Sequence, residues 1–168
     1  MSFAYDKAKL KAKADEYCRQ NNTILSREIG FGTQGVVYKT QHNTAIKVYD
    51  LKEGYQRERD VYTRLKERKI QSIRGLSVPR ILNWDDELSV FEMSIVAVPC
   101  ILDFGGAYLD VAPDHMCRDE IWLAQKSEDF GQNWEEAQSV IKEIEFRADI
   151  WLADVNSGNI KFVGADED

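Results

Sequence analysis

A chain of 168 residues with a formal net charge of −7 has room for one modest hydrophobic core, and its acidic balance argues against general nucleic-acid binding through phosphate neutralisation. Its apolar runs fall short of a membrane span, and its early charges leave no signal-peptide core, so no membrane association and a cytoplasmic location are expected. Cys18, Cys100 and Cys117 are too scattered for a disulfide framework or a zinc pattern, and His42 and His115 stand alone.

In chain order, residues 5–20 read as a helix with Leu10, Ala14, Tyr17 and Cys18 on one face. Residues 23–29 read as a strand leading into Gly30, Gly32 and Gly35, which stand at G-x-G-x-x-G spacing. That spacing alone is a weak signal. In a dinucleotide-binding unit the third glycine opens a helix. Here Val36, Val37, Tyr38, Lys39 and Thr40 follow, and this β-branched and aromatic run reads as a strand. With a strand on either side, the glycines join two antiparallel strands; the P-loop pattern is absent. After a turn at Gln41-His42-Asn43, residues 44–49 form the next strand, with Ala45, Lys47 and Tyr49 on one face and Ile46 and Val48 on the other.

Residues 51–54 read as a connection and 55–69 as a charged amphipathic helix. Glu58, Val61, Tyr62 and Leu65 follow i, i+3, i+4, i+7, which puts Glu58 on the apolar face. A carboxylate there needs a partner, because an unpaired buried charge is costly, and Lys47 is the natural candidate. Glu53, at the helix start, is explained by the helix dipole.

Residues 71–78 read as a loop, and 80–84 and 88–96 as a hairpin that completes a five-stranded sheet. Residues 100–110 read as a short strand followed by a turn at Gly105-Gly106. Residues 114–130 and 133–147 read as two helices. The second has Asn133 as N-cap and a buried stripe of Trp134, Ala137, Val140, Ile141 and Ile144. Residues 149–163 carry L-A-D-V-N-S-G-N-I, which by itself is equally an Asx-rich turn or a functional loop.

The Gly30, Gly32, Gly35 loop, the A-I-K ending in Lys47, Glu58 on the following helix, and the Asp154 to Asn159 loop stand in one order. That order resembles the protein kinase superfamily, and short bacterial proteins labelled serine/threonine kinases in particular. The resemblance implies an α+β, protein-kinase-like fold in a single domain. Residues 1–98 would form an N-lobe, a five-stranded antiparallel sheet with one helix and the leading helix. Residues 99–168 would form a reduced helical C-lobe ending at the catalytic loop, since a full kinase needs roughly a hundred residues more.

It also implies ATP and Mg²⁺ as cofactors and an unknown protein or small-molecule acceptor. Ile29, Val37 and Ala45 would line the adenine pocket, and a hinge near residues 92–98 would bond adenine. Gly30, Gly32 and Gly35 would admit the phosphates, and Lys47, fixed by Glu58, would hold them. Asp154 would face the acceptor hydroxyl and Asn159 would bind Mg²⁺, with Asp166 as a candidate replacement for the second metal ligand and Asp168 as a lesser one; Asp103, in a D-F-G that stands before the catalytic loop where a chance match accounts for it, is a minor candidate. Leu152-Ala153 in place of His-Arg, Asn156 in place of lysine, and Lys161 where an apolar residue is usual depart from the pattern. They keep open a pseudokinase, acting as a nucleotide-binding or protein-interaction module without turnover.

Overall fold

The computed structural model describes residues 6–32 and 34–164. In chain order the elements are α1 (Lys7–Gln20), β1 (Leu25–Phe31), β2 (Gly35–Thr40), β3 (Thr44–Tyr49), α2 (Lys52–Glu67), β4 (Ser72–Ile73) and β5 (Leu76–Ser77). There follow β6 (Ile81–Asp85), β7 (Val90–Ser94), β8 (Cys100–Ile101), β9 (Ala107–Leu109), α3 (Glu120–Phe130), a 3₁₀ turn (Gly131–Asn133), α4 (Trp134–Ala148), β10 (Ile150–Leu152) and β11 (Ile160–Lys161). The fold is α+β and divides into two compact units. One takes in the chain up to Asp60 together with Arg80–Ile95; the other takes Val61–Pro79 and the chain from Val96 onward. No helix among the described residues is long and apolar enough to cross a membrane.

The first unit is built on the expected five-stranded antiparallel sheet, in the order β1-β2-β3-β7-β6. Strand alternation gives it two faces. One carries Val36, Tyr38, Ile46, Val48 and Val90, which pack with Leu10, Ala14, Tyr17 and Cys18 of α1 into a buried cluster. Asp6 caps α1, its carboxylate accepting from the Ala8 and Lys9 amides at 3.0 and 3.2 Å. Burial pushes the Cys18 thiol up to about 11. The other face carries Val37, Ala45, Lys47, Tyr49 and Phe91 by the register Val37↔Lys47↔Phe91.

In the second unit, α4 buries Ala137, Val140, Ile141, Ile144 and Ala148. Its last carbonyls, which have no partner within the helix, are taken by arginines: Arg64 donates to the Ala148 oxygen at 2.9 Å and Arg68 to that of Arg147 at 2.7 Å. The unit also holds two small sheets, β10-β9 and β11-β8-β5-β4. The short strand expected before Gly105 is β8, and the helices expected over 114–130 and 133–147 are α3 and α4.

Several boundaries differ from expectation. Residues 71–78 are a hairpin, β4 and β5, turned at Arg74-Gly75, where both φ angles are positive. The helix expected over 55–69 starts at Lys52. That expected over 114–130 starts at Glu120, because the Asp119 carboxylate caps it by accepting from the Trp122 amide at 2.9 Å. Asn133 makes no side-chain cap bond, and Trp134 is half-buried, stacking on Phe130 at 5.8 Å between centroids.

The start of α2 is tied to the β6–β7 turn. Tyr55 donates its hydroxyl proton to Asp86 Oδ1 at 2.8 Å and Arg59 pairs with the same carboxylate. The Tyr55 hydrogen bond, with Arg59 beside it, holds the Asp86 carboxyl below its usual range. A depressed folded-state value means that the link stabilises the fold above the unfolded carboxyl value near about 4 and fades as pH falls through the folded value. Asp86→Asn is therefore expected to lower stability at neutral pH and to cost progressively less as the pH is taken below the carboxylate range, in urea melts at matched ionic strength.

Candidate functional site

Lys47 lies in the middle of β3, on the face opposite α1. Its ammonium donates to both oxygens of Glu58, at 2.9 and 2.8 Å. Glu58 is 0% exposed and Lys47 9%. Tyr49, two residues along the same strand face, donates its hydroxyl to Glu58 Oε2, and the Lys47 ammonium lies 5.3 Å from the Tyr49 ring centre. Tyr49 is wedged in turn against Tyr55 and Phe91, at 5.9 and 5.7 Å between centroids. A buried carboxylate is tolerable only when paired and hydrogen-bonded, and Glu58 takes three hydrogen bonds from two groups, the Lys47 ammonium and the Tyr49 hydroxyl. The sequence brought Lys47 and Glu58 together correctly; Tyr49 was missed, because an aromatic on a strand reads as core and only its hydroxyl betrays a second role.

The same register sets the glycines. Gly30 pairs with Val37, and Val37 with Lys47, so both share the face that holds the ammonium. Ala45 is on that face and buried, Val37 is half-buried, and Ile29 falls in the irregular step of β1 between Glu28 and Gly30, 44% exposed. Gly35 is fixed by packing: a Cβ there would stand 2.0 Å from the Val48 carbonyl oxygen. A Cβ at Gly32 would meet no described atom within 4 Å, and at Gly30 it would only touch Val37 at 3.8 Å.

The second constellation is the connection between β10 and β11. Asn156 Oδ1 accepts from the Gly158 and Asn159 amides at 2.9 and 3.0 Å, which makes the stretch an Asx turn. The turn brings Asp154 and Asn159 together. Asn159 Nδ2 approaches the Asp154 backbone oxygen at 3.3 Å and Oδ2 at 3.4 Å, while Asn156 Nδ2 donates to Asp154 Oδ1 at 3.1 Å. The Asp154 side chain is exposed. The tip of the turn is tethered by Asp129 at the end of α3, which accepts from the Ser157 amide at 3.0 Å and its hydroxyl at 2.6 Å. Asp129 went unnoticed in the sequence, where it looks like any helix-surface carboxylate.

The D-F-G-G run lies against this loop. β8 and β9, which flank it, pair with β11 and β10, which flank the loop. Leu102 donates its amide to the Asn159 carbonyl at 2.8 Å, and the Gly106 carbonyl accepts from the Ala153 amide at 2.8 Å. Asp103, half-buried, accepts from the Gly105 amide at 2.8 Å, the expected turn, and Phe104 is buried edge-on against Tyr62. Asp166 lies outside the described residues. Among the described residues no cluster of three or more His, Cys, Asp or Glu side chains is placed to hold a metal ion.

No protein-family model matches the sequence, and no curated protein matches it. Among solved structures the chain is similar to an ADP-bound aminoglycoside phosphotransferase, APH(2'')-Ib, at 13% identity over 80% of this chain and 39% of that one, with a TM-score of 0.45. The chain spans well under half the length of that protein.

Removing one partner of the buried pair strands the other. Lys47→Met is expected to cost about 3–5 kcal/mol in urea unfolding, because Glu58 stays buried without its cation. The double variant Lys47→Met/Glu58→Met is expected to cost less than the single one.

Proposed function

We propose that this chain binds ATP with Mg²⁺ and acts as a protein-kinase-like phosphotransferase. The observation that carries the reading is the buried Lys47–Glu58 pair, set on the sheet face that also presents Gly30, Val37 and Ala45. A lysine held rigidly by a buried carboxylate is a fixed positive charge with a defined direction, which is what binding phosphate oxygens requires. Packing accounts for glycine at 35. Neither a positive φ nor a neighbouring described atom accounts for it at 30 or 32, and close approach of a ligand's phosphates does.

In this reading Ile29, Val37 and Ala45 line the base, residues 92–98 bond its edge, and Lys47 neutralises phosphate charge. Asp154 orients the acceptor hydroxyl and takes its proton as the acceptor oxygen bonds to the γ-phosphorus of ATP and the bond from that phosphorus to the bridging oxygen breaks, ADP leaving with the electron pair. The donors offered to Mg²⁺ are oxygens, as a hard cation prefers: the Asn159 amide oxygen, whose NH₂ is already turned to Asp154, and the Asp103 carboxylate from the adjoining run. Mg²⁺ is ordinarily held by one or two carboxylates plus waters and substrate phosphates, so these residues fit it. When bound, it would screen the charge on the phosphates. Asp166 remains a sequence-based candidate.

One observation favours a second reading, nucleotide binding without turnover. Both Asp154 carboxylate oxygens accept from side-chain amides, of Asn156 and Asn159, which draws on their negative charge and narrows the directions from which an acceptor hydroxyl can approach.

Calorimetric titration of ATP with and without Mg²⁺ separates the possibilities first. Mg²⁺-dependent binding is expected. It should be weakened in Gly32→Ala, whose melting temperature should stay close to wild type, whereas Gly35→Ala should melt earlier. No binding by wild type would move the function to a protein-interaction role. With binding in hand, phosphate transfer should fall by about 10²–10⁴ in Asp154→Asn. Background phosphorylation unchanged by that substitution would leave a nucleotide-binding module.

A further inference from the structure

The two residues assigned to the acceptor and the metal stand on a short turn, and such turns do not hold side chains to the tolerance that chemistry needs unless something outside them does. The outside support here is the run Leu102–Gly106. It grips the loop at both ends: the Leu102 amide on the Asn159 carbonyl and the Gly106 carbonyl on the Ala153 amide, each at 2.8 Å. The flanking strands reinforce each grip, through Ile101↔Ile160 on one side and Ala107↔Leu152 on the other.

Gly106 is the closest point of this support. A Cβ built there would lie 2.5 Å from Asp154 Cβ, 3.0 Å from its amide nitrogen and 3.3 Å from its Cα. These are backbone and near-backbone atoms, not the end of a flexible side chain, so any side chain at 106 must displace Asp154 itself. No positive φ demands glycine at this position. The requirement is contact with Asp154, and it falls on the residue whose own carbonyl fixes the preceding Ala153.

We propose that Gly106 is a positioning residue for Asp154, and that the Leu102–Gly106 run is the template that sets the Asp154–Asn159 pair. The proposal rests on the reading of Asp154 as the group that faces the acceptor. It assigns a role to a run that precedes the loop in the chain and that looks like an ordinary turn.

The test is Gly106→Ala, read in three ways. Backbone amide resonances of Ala153, Asp154 and Asn159 should shift, while those of β2, β3 and α1 stay in place. The dissociation constant for ATP in the absence of Mg²⁺ should be unchanged. Phosphate transfer should fall by about a hundredfold in kcat, the size expected for a displacement of about 1 Å at a reacting group. A variant with wild-type kcat, or with unmoved Ala153 and Asp154 amides, overturns the proposal. If wild type transfers no phosphate, the functional reading fails, and the amide shifts still decide the positioning role. If the variant does not fold, amide exchange in wild type decides. Slow exchange at Leu102 and Ala153 supports the template, and exchange as fast as in exposed loops overturns it.

Discussion

A carboxylate removed from water has to be answered, and the answer to Glu58 organises the first unit. Its two oxygens take the Lys47 ammonium and the Tyr49 hydroxyl from one strand. That fixes which face of β3 meets α2 and which turn of α2 meets the sheet. A one-residue slip of β3 would turn Lys47 and Tyr49 toward α1 and leave Glu58 alone among Tyr55, Phe91 and their neighbours. Hydrophobic packing tolerates several arrangements of similar volume; an ion pair at this depth tolerates one. The glycine-bearing connection inherits its placement from that choice, because β2 is registered on β3.

The second unit fixes its loop by different means. Its anchors are backbone amides and carbonyls, an Asx turn, and a carboxylate at the end of a helix on Ser157. None of these needs burial. Asp154 can therefore stand exposed and still be oriented.

How far these features can be read from the sequence depends on how local their causes are. Glu58 is legible because a helical stripe of Val61, Tyr62 and Leu65 points to it. The faces of β3 are legible from simple alternation, and the sheet follows from two clear hairpins. The start of α3 is not legible from hydrophobicity, since Ile121 is 69% exposed and Leu123 37%; the Asp119 cap decides it. β4 and β5 are two residues each and carry no periodicity to read. Asp129 and Gly106 draw their roles from partners distant in the chain, and no window of sequence contains both halves. The Asp154–Asn159 juxtaposition was foreseeable from turn chemistry; the strands that clamp it were not.

The pairing of β8–β9 with β10–β11 has a consequence for how the chain acquires its structure. The Leu102–Gly106 run is made early, and α3 and α4 must both be made before the strands it pairs with exist. Closing so long an intervening segment costs entropy that local contacts do not repay, so such contacts form late in folding. The loop that carries Asp154 should then be among the last parts of the molecule to become ordered, with φ-values near zero for substitutions at Leu102 and Ile160, while the short hairpins β1–β2 and β2–β3 take shape ahead of it.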